Sequence, residues 1–164
     1  MFIDQARIFV KAGDGGTGHC SFRREKFAEF GGPNGGDGGD GGDVVFLASN
    51  RVSTLLDLRY QRHYEATSGE RGLKTNCHGA TGPDIVIALP VGTLVKTEDG
   101  DIIADLIAEG QTAIVAKGGK GGKGNARFAT STNRAPRQFE PGTPGEERWV
   151  KLELKLLADV GLVG

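Results

Sequence analysis

Glycine recurs with a period of three in two runs, GGPNGGDGGDGGD (31–43) and GGKGGKG (118–124). Neither common element has that period, since a helix repeats at 3.6 residues and a strand at 2. A polyproline-II helix does, with three residues per turn and no hydrogen bonds of its own. Glycine at every third position lets such helices approach closely and bond backbone to backbone between neighbours. Collagen uses the same geometry, but these runs are too short and too poor in proline for a triple helix. Ordering a glycine costs roughly 0.5–1 kcal/mol more than ordering an alanine, so ordered runs must be packed against each other. The reading adopted is a bundle of left-handed polyproline-II-type helices, with a disordered tract as the alternative.

Other uses of glycine fit less well. GDGGTG (13–18) and GDGGDG (36–41) match a dinucleotide fingerprint, but neither opens a strand–turn–helix unit. GGKGGKG has Gly124 where a phosphate loop needs Ser or Thr for magnesium. Asp37, Asp40 and Asp43 are three apart rather than two, and no glutamate closes a calcium loop after them. His19-Cys20 and Cys77-His78 lack the spacing of zinc ligand pairs. No metal site is expected, and two cysteines imply reduced thiols rather than a disulfide framework.

The chain has 164 residues, 28 of them glycine, and a net charge of −1. That neutral total hides two zones. Lys117 to Arg137 contains six basic residues and no acid, whereas Glu98 to Glu109 contains five acids and no base. No stretch is apolar and long enough for a membrane span, and the N-terminus lacks the apolar core of a signal peptide, so a cytoplasmic location is expected.

Strand signals occur at 6–12, 43–49, 84–90, 92–106 and 112–118, with Asp99-Gly100 as a hairpin turn inside the fourth. Residues 53–66 read as the one helix, capped by Ser53 or Thr54. The domain is therefore mainly β. Three long polar segments, 13–43, 67–83 and 118–146, lie between strands and each carries basic residues. The C-terminal stretch 149–164 begins as a half-buried strand and turns wholly apolar from Leu156, as the first strand of an α/β domain would.

FRREKFAEFGGPNGGDGGDGGDV (22–44), RHYEATSGERG (62–72), LPVGTLV (89–95), GGKGGKGNARFATSTNRAPR (118–137) and PGTPGEERWVKLELKLLADVGLVG (141–164) resemble the Obg family of bacterial GTPases, over essentially the whole chain. The resemblance implies the Obg fold, in which glycine-rich left-handed helices sit on a small β-barrel. It implies an Obg domain at 1–157 and, at 158–164, the first strand and first phosphate-loop glycine, Gly164, of a Ras-like GTPase domain. GTP or GDP and Mg2+ belong to that domain. Hydrolysis is not expected of these 164 residues alone, because the lysine, Ser/Thr and switch residues that hold nucleotide are not among them. The family acts late in large-subunit assembly and is tied to growth control and the guanosine tetraphosphate starvation response.

The implied partners are RNA and proteins of the large ribosomal subunit, the chain's own GTPase domain and stress-response regulatory proteins. The implied RNA contacts are the loop tips, which here carry Arg23, Arg24 and Lys26; Arg71 and Lys74; and Arg127, Arg134 and Arg137. Guanidinium groups suit that task because they bond phosphates in pairs and stack on bases. Phe22, Phe27, Phe128 and Phe139 interleave with these residues and either stack on RNA or anchor the loops. No catalytic constellation has a defensible spacing. A second reading makes the domain a protein-interaction or regulatory module, with the acidic hairpin around Glu98, Asp99, Asp101 and Asp105 as its surface.

Overall fold

The computed structural model describes residues 3–23 and 31–155. Nine elements are regular enough to number. They are β1 (Ile3–Lys11), β2 (Val44–Ala48), α1 (Leu56–Tyr60), β3 (His63–Glu65), β4 (Ile85–Leu89), β5 (Thr93–Thr97), β6 (Ile102–Leu106), β7 (Thr112–Ala116) and β8 (Glu147–Lys155). A short 3-10 turn covers Asn125–Phe128. The domain is mainly β, and it has the organisation expected of the Obg fold.

The strands form one five-stranded sheet in the order β3-β1-β8-β5-β6 and one three-stranded sheet in the order β4-β2-β7. Alternation decides which face of each strand is buried. In β1, Ala6, Ile8 and Val10 point inward, and in β8 so do Val150, Leu152 and Leu154. Val44, Phe46 and Ala48 of β2 meet them in one core that also takes Leu55, Leu58, Leu89, Val95 and Leu106. The hairpin predicted at Asp99-Gly100 joins β5 to β6, with Gly100 at φ 94°.

Two expectations are corrected. The sheets do not close into a barrel. After β6, the Gln111 side chain accepts the N–H groups of Ile107 and Ala108 and donates to the Asp105 carbonyl. That turn sends β7 to β2 rather than along β6. The helix is five residues long rather than fourteen, because the chain returns to extended form at Gln61 and pairs His63–Glu65 with β1. Its first turn is held chiefly by Asp4, whose carboxylate accepts the Leu55 N–H at 2.8 Å, while Thr54 Oγ1 accepts that of Leu56 at 3.2 Å.

The glycine runs are packed structure. Six extended segments lie side by side, here numbered I (12–21), II (34–43), III (66–73), IV (77–83), V (117–125) and VI (140–146). Their backbone bonds go to neighbours, at intervals of three residues. Gly13, Gly16 and His19 of segment I donate to Gly42, Gly39 and Gly36 of segment II, and Gly38 and Gly41 of II donate to Gly122 and Gly119 of V. This is the hydrogen-bond pattern that a polyproline-II helix requires, since it has no internal bonds to make.

The packing leaves no room for side chains at the repeat positions. A Cβ on Gly41 or Gly38 would lie 1.9 Å from the carbonyl oxygen of Gly13 or Gly16. Each segment is spliced to a strand, and sheet neighbours stay neighbours. β1, paired on both sides by β3 and β8, continues into segment I, and β2, paired on both sides by β4 and β7, arises from segment II.

The period-three aspartates belong to this scaffold. Asp43, Asp40 and Asp37 accept the backbone N–H groups of Gly118, Gly121 and Gly124 at 2.7, 2.8 and 2.9 Å. They bind one antiparallel neighbour, rung by rung.

Candidate nucleic-acid interface

Segments I and II, III and IV, and V and VI are each joined at the end of the bundle away from the sheets. Three loops therefore emerge together: 22–33, 74–76 and 126–139. Residues 24–30 of the first lie outside the described residues. The expected contacts at Arg24, Lys26 and Phe27, and Gly164 at the other end, fall there too.

Asn125 ties the loops to the bundle. It stands where the repeat Gly119, Gly122 would place its next glycine, and its N–H makes the corresponding bond, to the His19 carbonyl. Its side chain is fully buried. Oδ1 accepts from Gly35 at 2.8 Å and Ser21 at 3.3 Å, while Nδ2 donates to the carbonyls of Ser21 at 2.9 Å and Pro136 at 3.0 Å. The second loop is joined in turn by a bond from the Asn76 N–H to the Asn34 carbonyl at 2.6 Å. Thr75 and Asn76 at its tip have φ of 64° and 55°. A β-branched residue in the left-handed region is strained, and such strain persists only where its surroundings enforce it.

The first loop meets the second and the third through expected residues, and Arg71 stands below them in segment III. Arg23 and Lys74 line one cleft of about 590 Å³, together with Phe22, Asn34 and Asn76. Arg71 lines another of about 400 Å³, opposite Phe139 and beside His19 and Cys20. Arg137 lies over the Phe22 ring at 6.0 Å, and its carbonyl accepts the Cys20 thiol at 3.5 Å. Arg134 is exposed beside the turn in which the Thr130 N–H bonds to the Asn133 carbonyl.

Arg127 lies close to segment II. Although exposed, it is ion-paired with Asp37 at 2.6 Å, so it braces segment II more than it offers charge to a ligand. Burial pushes the Asp37 carboxyl up, but the Gly124 N–H, Arg127 and His78 outweigh it and hold the group below its usual range. Phe22 anchors the loop by bridging to Pro33, one of its two expected roles, and its ring lies under the Arg137 guanidinium. Phe128 is half-buried in the 3-10 turn, whereas Phe139 is 49% exposed.

Sequence reasoning passed over Asn125 and Asn34. The available signal for Asn125 was its register, a polar residue in a place that the repeat reserves for glycine. Among the described residues no cluster of three or more His, Cys, Asp or Glu could hold a metal ion, and no helix is long and apolar enough to cross a membrane. Nor do the two fingerprint-like runs offer a phosphate cradle. The N–H groups of Gly13, Gly15, Gly16 and Gly18 and those of Gly36, Gly38, Gly39 and Gly41 are all bonded to carbonyls of neighbouring segments.

The family model for GTP1/OBG matches residues 3–156. Similar proteins are the GTPase Obg of Syntrophus aciditrophicus, 62% identical over 99% of this chain and 48% of its own length, and that of Persephonella marina, 57% identical over the same shares. The GTPase Obg of Heliobacterium modesticaldum is 60% identical over all of this chain and 37% of its own length. The chain thus spans half or less of the relatives it matches. With the period-three bundle, the spliced sheets and a family model covering nearly every residue, the chain belongs to the GTP1/OBG family.

Proposed function

We propose that these residues form the docking domain of an Obg-type GTPase, which engages the large ribosomal subunit through the basic loop end. The observation that carries this reading is that Arg23, Lys74 and Arg137 from three loops, and Arg71 from segment III, lie at one end of the bundle. Side chains held in place before binding lose little freedom on docking. The neutral net charge is no obstacle, because basic side chains from separate stretches meet at the loop end. Late subunit assembly, growth control and the starvation response are the settings in which such docking would act.

GTP hydrolysis, with Mg2+, is assigned to the full-length protein because the relatives carry the name GTPase. The glycine N–H groups described here are committed within the bundle, so no step of that reaction is placed on them. The acidic-hairpin reading has less support, since Glu98 is already engaged by Arg7 at 2.6 Å.

The test is binding to purified large subunits across a salt series. If about six phosphates are neutralised, log affinity falls with log salt at a slope of about −4 to −5. The triple variant Arg23→Glu, Arg71→Glu, Arg134→Glu should lose most of that slope. Binding that is insensitive to both salt and charge reversal would sink the reading in favour of a protein-recognition surface.

A further inference from the structure

The outer face of the five-stranded sheet carries two cross-strand rows. In one row His63, Phe9 and Trp149 stand directly opposite one another on β3, β1 and β8. Their ring centroids are 5.3 to 5.6 Å apart. In the other, Arg7, Lys151 and Lys96 are directly opposite on β1, β8 and β5. Like charges in opposed positions repel, so three in a row work against the sheet. Arg7 is paired with Glu98 at 2.6 Å and Lys96 with Glu153 at 3.1 Å, and Glu98 also feels the charge of Lys151.

Arg7 links the rows. Its guanidinium carbon lies 4.0 Å from the centre of the Trp149 ring, and half of its side chain remains exposed. A groove runs past it between β8 and α1, made of two clefts of about 560 and 340 Å³ that share Gln5, Ala6, Arg7 and Arg59. Four basic side chains line it, Arg7, Arg59, Arg62 and Lys151, against one acid, Glu153. Arg59 is fixed by bonds to the Gln5 carbonyl at 2.7 Å and to Asp4 at 3.2 Å, and Arg62 by one to the Arg59 carbonyl at 3.2 Å. The positive charge is therefore positioned in advance.

We propose that this groove is a second RNA site, which takes an unpaired strand. A base would stack against the Arg7–Trp149 pair, and the flanking phosphates would lie on Lys151 and Arg62. Arginine planes and aromatic rings serve any base in this way, so the site would favour single strands without strong sequence preference. An acidic protein surface would satisfy the charges but has no use for the aromatic row. The site lies where strands pass into the bundle, and segment I separates it from the loop tips by roughly 30 Å at 3.1 Å per residue. Its argument does not depend on the loop end.

Trp149 is the single tryptophan of the chain, so its emission reads this groove alone. The chain is titrated with unstructured oligouridylate RNA at low and moderate salt. Saturable quenching is expected, with affinity lowered about tenfold or more by Arg62→Glu with Lys151→Glu, since each removed phosphate contact weakens binding. The loop triple variant should quench like the parent, even if it no longer docks on ribosomal subunits. Thermal melts check both folds, and Lys151→Gln alone carries the same test if the double variant does not fold.

Unchanged emission at low salt would overturn the proposal. So would quenching that disappears with the loop variant but survives the groove variant, or equal quenching by polyglutamate, which has charge but no bases. A response to isolated ribosomal proteins with none to RNA would make the groove a protein site and refute it as well.

Discussion

Gly32 and Gly38 belong to the same run and carry opposite consequences. A Cβ on Gly38 would stand 1.9 Å from the Gly16 carbonyl oxygen, whereas one on Gly32 meets nothing within 4 Å. Backbone faces backbone at Gly38, so no side chain can yield. Gly38→Ala should cost at or above the usual range of about 1–3 kcal/mol for overpacking. Gly32→Ala should stay within about 0.5 kcal/mol of the parent. Urea unfolding of the two variants checks the pair, and equal costs would contradict the packing described.

Asp37 supplies a pH prediction. Its carboxyl is held below the usual range, so it contributes stability above the unfolded-state pKa, and that contribution is lost as pH falls through the folded-state value. Arg127→Leu removes one of the groups opposing burial. Asp37 should then titrate at higher pH, and the variant should lose stability earlier on acidification. Carboxyl carbon NMR of Asp37 in the two proteins measures the shift, and an unchanged titration would show that Arg127 is not among its causes. The sequence made the period of three readable, but not the partner of each aspartate. A carboxylate at that period can hold a metal or a row of N–H groups, and only the antiparallel run of segment V decides between them.

Loops and bundle are joined through one side chain. Asn125 makes four hydrogen bonds to three different stretches from a fully buried side chain. Asn125→Ala leaves those backbone groups unpaired, at about 1–3 kcal/mol for each that stays buried. Asn125→Asp should fare no better, since it puts a carboxylate where the Ser21 and Pro136 carbonyls need a donor. Melting temperature gives the stability loss. Exchange of the Gly35 amide gives its location, and affinity for the large subunit should fall even though no charge has changed. An Asn125→Ala variant that melts and binds like the parent would remove the hub from the account.

The same region shows where reading by pattern stops. Hairpin and strands follow from alternation and from Asp99-Gly100, and the structure has them within a few residues. Leu55 and Leu58, three apart, suit a helix, while the pairing of His63–Glu65 with β1 that cuts it short is a long-range gain invisible locally. Basic loop tips were readable as composition. That Arg127 is spent on Asp37, while Arg23 and Lys74 share a cleft, depends on contacts between distant segments.

Bundle and sheets differ in what holds them. The sheets enclose the apolar core, whereas the six segments have carbonyls and N–H groups where a core would be. Hydrogen bonds exchanged with water contribute little each, so the bundle draws its stability from being anchored. Every segment continues a strand, and segments I and II continue β1 and β2, each paired on both sides. Alignment of the segments is thus delivered by the sheets, and loss of the sheets removes it.

Phe46 tests this dependence, being a large and fully buried side chain of β2 next to segment II. Phe46→Ala should cost about 3–5 kcal/mol, a large part of a domain's usual 5–15. Native-state hydrogen exchange should then show the amides of Gly16, Gly39 and Gly122 losing protection by the same factor as those of β2, since one opening exposes both. Gly38→Ala should act in one direction only, with the bundle amides exchanging faster and the β1 and β8 amides keeping most of their protection. Should the bundle amides keep parental protection in Phe46→Ala while β2 loses its own, the segments would be stable without the sheets. The docking end would then be an independent unit rather than an extension of the β core.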